Sequence, residues 1–180
     1  PAVGDIGNVI DGDNVFEVVD CKHSPTGHIL HIGRVGKGKI HSGENVKAVV
    51  NSMFRNDVMR NHTATHLLHA ALRKVLGDHV HQAGSFVNDE VTRFDFTHFS
   101  AVTQEELSEI EEIVNFNILS GLDVTTEEMP IAEARKKGAM ALFGDKYSEI
   151  VRVCKIEDKS MELCGGTHVK NTATIGLFKI

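Results

Sequence analysis

The stretch Asn61-His62-Thr63-Ala64-Thr65-His66-Leu67-Leu68-His69-Ala70-Ala71-Leu72-Arg73-Lys74-Val75-Leu76-Gly77 decides the reading of the fold. Ala64, Leu67, Leu68, Ala71, Leu72 and Val75 recur every three or four residues, the spacing that lines one broad face of a helix. Asn61 is placed to cap that helix and Gly77 to close it, which predicts a helix from about His62 to Leu76. Downstream, Val91-Thr92-Arg93-Phe94-Asp95-Phe96 alternates as a half-buried strand does. Thr103-Gln104-Glu105-Glu106 forms a capping box, and Leu107, Ile110, Val114 and Ile118 carry its helix onward. A strand near Val124, a short helix from Pro130 to Lys137, and strands around Ile150–Ile156 and Thr174–Ile180 are expected to follow. Strands interleaved with helices point to a two-layer α/β domain over residues 55–180.

Upstream the pattern differs. Val15-Phe16-Glu17-Val18-Val19, His28-Ile29-Leu30-His31-Ile32 and Val46-Lys47-Ala48-Val49-Val50 read as short strands. Asp11-Gly12-Asp13-Asn14, Lys37-Gly38 and Ser42-Gly43-Glu44-Asn45 read as the turns between them. A small barrel-like or sandwich subdomain over residues 1–54 is expected, an irregular sheet being the other possibility. The fold class is therefore α+β.

Composition bounds what this fold can do. With 180 residues, 41% of them hydrophobic, the chain can bury a core of one ordinary domain or two small ones. No apolar run approaches the roughly 20 residues of a membrane span, and nothing at the start resembles a signal peptide. The first residue is Pro1, not Met, so a piece of a longer protein is expected. Three cysteines without framework spacing argue for a reducing, cytoplasmic setting. A net charge of -6 is unusual for a stand-alone nucleic-acid binder, so any RNA contact must be local or shared with other domains.

Eleven histidines are many for this length. His62 and His66 stand four apart on the predicted helix, which places both imidazoles on one face. Cys164 and His168 repeat the spacing within Cys164-Gly165-Gly166-Thr167-His168. A thiolate among imidazoles selects zinc over magnesium or calcium. Gly165 and Gly166 allow a tight turn and the close approach of another group to the backbone, which makes them candidate substrate contacts. The plainer reading is that His62, His66 and His69 form the polar side of a helix and that Cys164 is a small core residue. A zinc protease is excluded, because its signature needs glutamate where Thr63 stands. Four protein ligands make a closed structural site and three an open catalytic one, and the sequence leaves that choice open.

Several motifs together resemble one family. Arg60-Asn61-His62-Thr63-Ala64-Thr65-His66-Leu67-Leu68-His69-Ala70-Ala71-Leu72 is similar to the first metal motif of alanyl-tRNA synthetase editing domains. Arg93-Phe94-Asp95-Phe96 resembles their internal strand, and Gly138-Ala139-Met140-Ala141-Leu142-Phe143-Gly144 one of their loops. Glu162-Leu163-Cys164-Gly165-Gly166-Thr167-His168-Val169 resembles the second metal motif. The threonyl-tRNA synthetase editing domain shares both metal pairs, but the Cys-Gly-Gly-Thr-His form and the Arg-Phe-Asp-Phe strand favour the alanyl enzymes. Residues 1–50 resemble the preceding barrel more loosely. The family's Gly-Gly-Gln motif before the Gly4-Asp5 position is replaced here by Pro1-Ala2-Val3, so a first barrel strand is expected to be missing or altered.

The resemblance implies zinc-dependent hydrolysis of tRNA(Ala) carrying serine or glycine, with the other domains of a parent synthetase as partners. Two other readings stay open: a free-standing editing protein, and a non-catalytic zinc-stabilised RNA-binding module. The resemblance also singles out Gln82, which could orient water or substrate or could be an ordinary strand residue. Glu162 stands where the threonyl enzymes carry an acid and could serve as a general base or an amine anchor. Thr65 could hydrogen-bond a serine hydroxyl or simply its own helix. Arg93 could contact RNA phosphate, although strand arginines are more often solvated or salt-bridged.

Overall fold

The computed structural model describes residues 2–141 and 147–180. Four strands open the chain: β1 (Gly7–Asp11), β2 (Asn14–His23), β3 (Ile29–Lys37) and β4 (Lys47–Val50). They form one antiparallel sheet in the order β3-β2-β1-β4. The β1–β2 turn is only Gly12-Asp13, with Asp11 paired to Asn14, and Gly12 supplies the positive φ such a tight connection requires. Among the described residues β3 and β4 remain the two edges, so the strands of the expected barrel are present but do not close.

Helix α1 spans Ser52–Leu76, beginning ten residues before the sequence pattern suggested. Asn51 is the cap, its side chain accepting a hydrogen bond from the Phe54 amide at 3.1 Å. The early turns hide from a periodicity search because they carry little buried apolar surface beyond Val58. Asn61 sits in mid-helix, where its amide donates to the Asn88 carbonyl at 2.9 Å. Gly77 closes the helix as expected, its N–H bonding to the Arg73 carbonyl.

A hairpin of β5 (Gln82–Val87) and β6 (Thr92–Phe96) follows, then α2 (Gln104–Leu119), opened by the complete Thr103–Glu106 capping box. Strand β7 (Val124–Pro130) leads into α3 (Ile131–Lys136). Strands β8 (Ile150–Ile156) and β9 (Ser160–Leu163) complete a three-stranded antiparallel sheet ordered β7-β8-β9. The loop that resembles the family at Gly138–Gly144 lies partly outside the described residues.

The expected strand at Thr174–Ile180 is absent. A 3₁₀ turn at Thr172–Thr174 leads instead into a segment pinned along α2. Asn115 both donates to the Phe178 carbonyl and accepts from its amide, each at 2.9 Å, and Glu111 accepts from the Ile180 amide at 2.8 Å. Side chains of a helix thus satisfy the backbone groups that a neighbouring strand would otherwise have paired.

The main core forms where Leu67, Ala71 and Leu72 of α1 meet Ile110, Val114 and Ile118 of α2, with Val80 and Ile156 filling the ends. This packing fixes the back of α1 and leaves its histidine-bearing face turned the other way. No helix among the described residues is long and apolar enough to cross a membrane. The N-terminal segment is tied to the rest by the Val3 amide on the Val87 carbonyl at 3.0 Å and by an Arg55–Asp5 ion pair.

Ile110→Ala, which empties the centre of that seam, is expected to lower the unfolding free energy by about 2–5 kcal/mol in urea titrations. A loss below about 1 kcal/mol would place the core elsewhere.

Candidate metal centre

The ladder of histidines on α1 follows from helical geometry. His62, His66 and His69 stand at i, i+4 and i+7, so their rings rise along one face. Strand β9 delivers the other half: pairing with β8 carries the chain up to Leu163, and the Cys164 amide then bonds to the Arg152 carbonyl at 2.9 Å. The Arg152 side chain donates to the carbonyls of Gly165 at 3.1 Å and Gly166 at 2.7 Å, fixing the turn.

His62, His66, Cys164 and His168 converge, with one donor atom from each lying within 4.8 Å of all the others. Cys164 Sγ lies 3.5 Å from His62 Nε2 and 3.3 Å from His168 Nε2. Zinc bonds of about 2.3 Å to sulfur and about 2.0–2.1 Å to nitrogen imply tetrahedral S···N edges of about 3.6 Å. The observed separations fit, and the cluster can hold a metal ion.

Two imidazoles have their tautomers dictated by what lies behind them. The Thr63 hydroxyl donates to the Met59 carbonyl at 2.8 Å, so towards His168 Nδ1 at 3.3 Å it can only accept. The Val169 amide fills its remaining lone pair at 3.2 Å. His168 therefore carries its proton on Nδ1 and turns the Nε2 lone pair towards Cys164. His66 Nδ1 lies 2.8 Å from Glu162 Oε2, a carboxylate that accepts only, which leaves Nε2 for the cluster. That Nε2 is buried and has no other partner. Glu162 itself is buried, with Oε1 taken by His69 Nδ1 at 3.0 Å and by the Ser160 hydroxyl at 3.2 Å.

Burial works to raise the Cys164 thiol, but the imidazoles of His168, His62 and His66 around it outweigh burial and bring the group down to about 3. Burial likewise opposes ionisation of Glu162, yet His66 and His69 hold it well below the usual carboxylate range. Against its own burial, His66 is raised to about 10 by Glu162 and Cys164, so the ion-free cluster keeps a proton on His66 Nε2 that a bound metal ion would displace. Burial and the neighbouring imidazoles press His168 down to about 4. A thiolate and a carboxylate beside imidazoles form a setting that a divalent cation completes.

The remaining candidates divide. His62, His66, Cys164 and Gly165 border a cleft of about 1150 Å³ between the N-terminal sheet and α1, and Thr65, Gln82 and Glu162 line the same cleft. The Thr65 hydroxyl donates to the Asn61 carbonyl at 2.9 Å and meets Thr92 Oγ1 at 2.7 Å. Gln82 Nε2 donates to Ser85 Oγ at 3.0 Å, outside the four-donor cluster. A Cβ on Gly165 would meet nothing, whereas one on Gly166 would fall 2.2 Å from His62 Cε1. Arg93 is not brought to the cleft; it is exposed and paired with Asp95 on its own strand at 3.1 Å. Sequence reasoning missed Thr63, whose partners His168 and Val169 lie 105 and 106 residues on, and Arg152, whose partners lie 13 and 14 residues on. It saw His69 only as part of a polar face.

Residues 151–180 match the family described as Threonyl and Alanyl tRNA synthetase second additional domain. Over 178 residues, 99% of this chain, the sequence is 53% identical to an alanine–tRNA ligase of Bacillus pumilus and 52% to that of Bacillus subtilis. It is 54% identical over 179 residues, again 99% of the chain, to that of a Thermoanaerobacter species. In each case the match covers 20% of the relative, so the chain spans about a fifth of the length of these curated relatives.

If the Thr63 hydroxyl sets the His168 tautomer, Thr63→Val should weaken zinc binding by about 10–100-fold in chelator competition while Thr63→Ser stays near wild type. Equal affinities for all three proteins would remove Thr63 from the centre.

The two metal pairs, the cleft beside them and an identity of more than half over nearly the whole chain agree: the chain belongs to the alanyl-tRNA synthetase family, as a segment carrying its second additional domain.

Proposed function

We propose that this segment is the editing region of an alanine–tRNA ligase and hydrolyses the ester of tRNA(Ala) mischarged with serine or glycine. The observation that carries the reading is the convergence of His62, His66, Cys164 and His168 at the wall of a cleft large enough for an aminoacylated terminal nucleoside. One thiolate and three imidazoles favour zinc. Bound there, such an ion supplies Lewis-acid polarisation of an ester carbonyl.

The chain's own residues do the rest. Glu162 has both oxygens engaged, so we assign it the orientation of His66 and His69 rather than the work of a base or an amine anchor. Gln82 stands on β5, facing the same cleft but outside the donor set, where it can orient water or substrate. The paired hydroxyls of Thr65 and Thr92 offer a polar spot for a serine side chain. Gly165 leaves the backbone of the turn open to close approach.

The need follows from discrimination. A pocket built for alanine gains only about 1–3 kcal/mol against an amino acid lacking one methylene, and it rejects an added hydroxyl by only roughly 10². A second, hydrolytic site removes those errors. The three unbonded cysteines suit a reducing, cytoplasmic setting. A zinc-stabilised RNA-binding module would share the donor set, but it gives no reason for the cluster to border a cleft.

The test is deacylation of labelled Ser-tRNA(Ala) by the full-length parent enzyme with and without Cys164→Ala. Loss of deacylation with alanine charging intact is expected, and equal rates would end the proposal. Gln82→Ala should keep bound zinc, and stability within about 0.5 kcal/mol, while slowing deacylation by about 10²-fold. Zinc loss in that variant would show that Gln82 supports the donors instead.

A further inference from the structure

Among the three imidazole donors, His62 alone lacks an outer anchor. His66 is held from behind by Glu162, and His168 by Thr63. His62 Nδ1 is buried and has no hydrogen-bond partner. The two anchored rings are buried, whereas His62, which borders the cleft with His66, is only half-buried. Its ring lies against the bare backbone of Gly166, in a space a methyl group would fill. The turn on the other side cannot follow it, because Arg152 clamps the carbonyls of both glycines.

Resting on the zinc reading above, we infer that His62 is the exchangeable ligand: the centre is a three-donor site of His66, Cys164 and His168, and His62 is the arm that leaves to open a fourth position towards the cleft. This accounts for a donor set that is complete enough to be structural in a protein whose proposed chemistry needs an open position. It also gives Gly166 a specific task, which is to leave His62 room to seat and to swing.

The experiment uses zinc titration against a chromophoric chelator and absorption of the cobalt-substituted protein, with far-UV circular dichroism to confirm folding. His62→Ala should retain zinc with an affinity lowered by no more than about 100-fold, the scale of losing a supporting contact rather than the metal itself. It should also keep the sulfur-to-cobalt charge-transfer band, with altered d–d bands. His66→Ala, His168→Ala and Cys164→Ala should each fall well below it. Gly166→Ala keeps every donor but places a methyl against the His62 ring, so its cobalt spectrum should move towards that of His62→Ala. The inference fails if His62→Ala loses zinc as completely as the other three, or if Gly166→Ala is spectroscopically wild type. A wild-type protein that binds no zinc would overturn both this inference and the zinc reading, whereas the first two results leave the zinc reading standing.

Discussion

Two segments about a hundred residues apart must hold four donor atoms within 4.8 Å of one another, and the rest of the structure serves that constraint. Helix α1 is the fixed side, its back locked by the apolar seam with α2. Thr63 is the rivet. From α1 its hydroxyl holds both the His168 ring and the Val169 amide, so one group sets a side-chain tautomer and a backbone position together. The loop after β9 is fixed from the other side by Arg152. Tolerances this close need several independent bonds, because a displacement near 1 Å at a reacting centre can cost about 10²-fold in rate.

The buried carboxylate shows why the arrangement is worth its desolvation. An isolated Glu162 in this position would be strongly unfavourable, and breaking a buried ion pair typically costs about 3–5 kcal/mol. Two imidazole N–H groups and the Ser160 hydroxyl offset that burial. What the protein gains is direction: the carboxylate fixes which nitrogen of His66 faces the donors, and a metal centre depends on that choice. Stability alone would have been served as well by apolar side chains of similar volume.

Legibility followed the range of the physics. The first donor pair was readable because four-residue spacing on a helix implies a shared face, and the second because a cysteine and a histidine flank two glycines within five residues, although that stretch is a loop. The capping box at Thr103 and the closing Gly77 were readable for the same reason. The start of α1 was not, because its first turns bury little beyond Val58, and Asn61 offered a plausible cap at the place where the apolar stripe begins. The C-terminal residues looked like a strand by composition, yet their backbone partners are Asn115 and Glu111 on a helix, which no local pattern can announce. Thr63 and Arg152 were invisible by the same logic, since tertiary pairing and not local spacing brings their partners to them. Closure of the N-terminal strands into a barrel depends on the pairing of edges, and alternation within each strand carries no information about that.

The charge distribution adds a last step. The chain is acidic overall, at -6, yet the cleft beside the four-donor cluster is lined by Lys22, Arg55 and Arg73 as well as by histidines. Lys22 pairs with Asp20, Arg55 with Asp5, and Arg73 holds Asp78 and the Val80 carbonyl. Among the described residues, few unpaired cations therefore face the cleft, and affinity for a polyanion grows with the number of phosphates neutralised. On the proposed reading this segment contributes chemistry and shape but little grip. A parent about five times as long would supply the grip and present the acceptor end at high local concentration, as linked binding sites do.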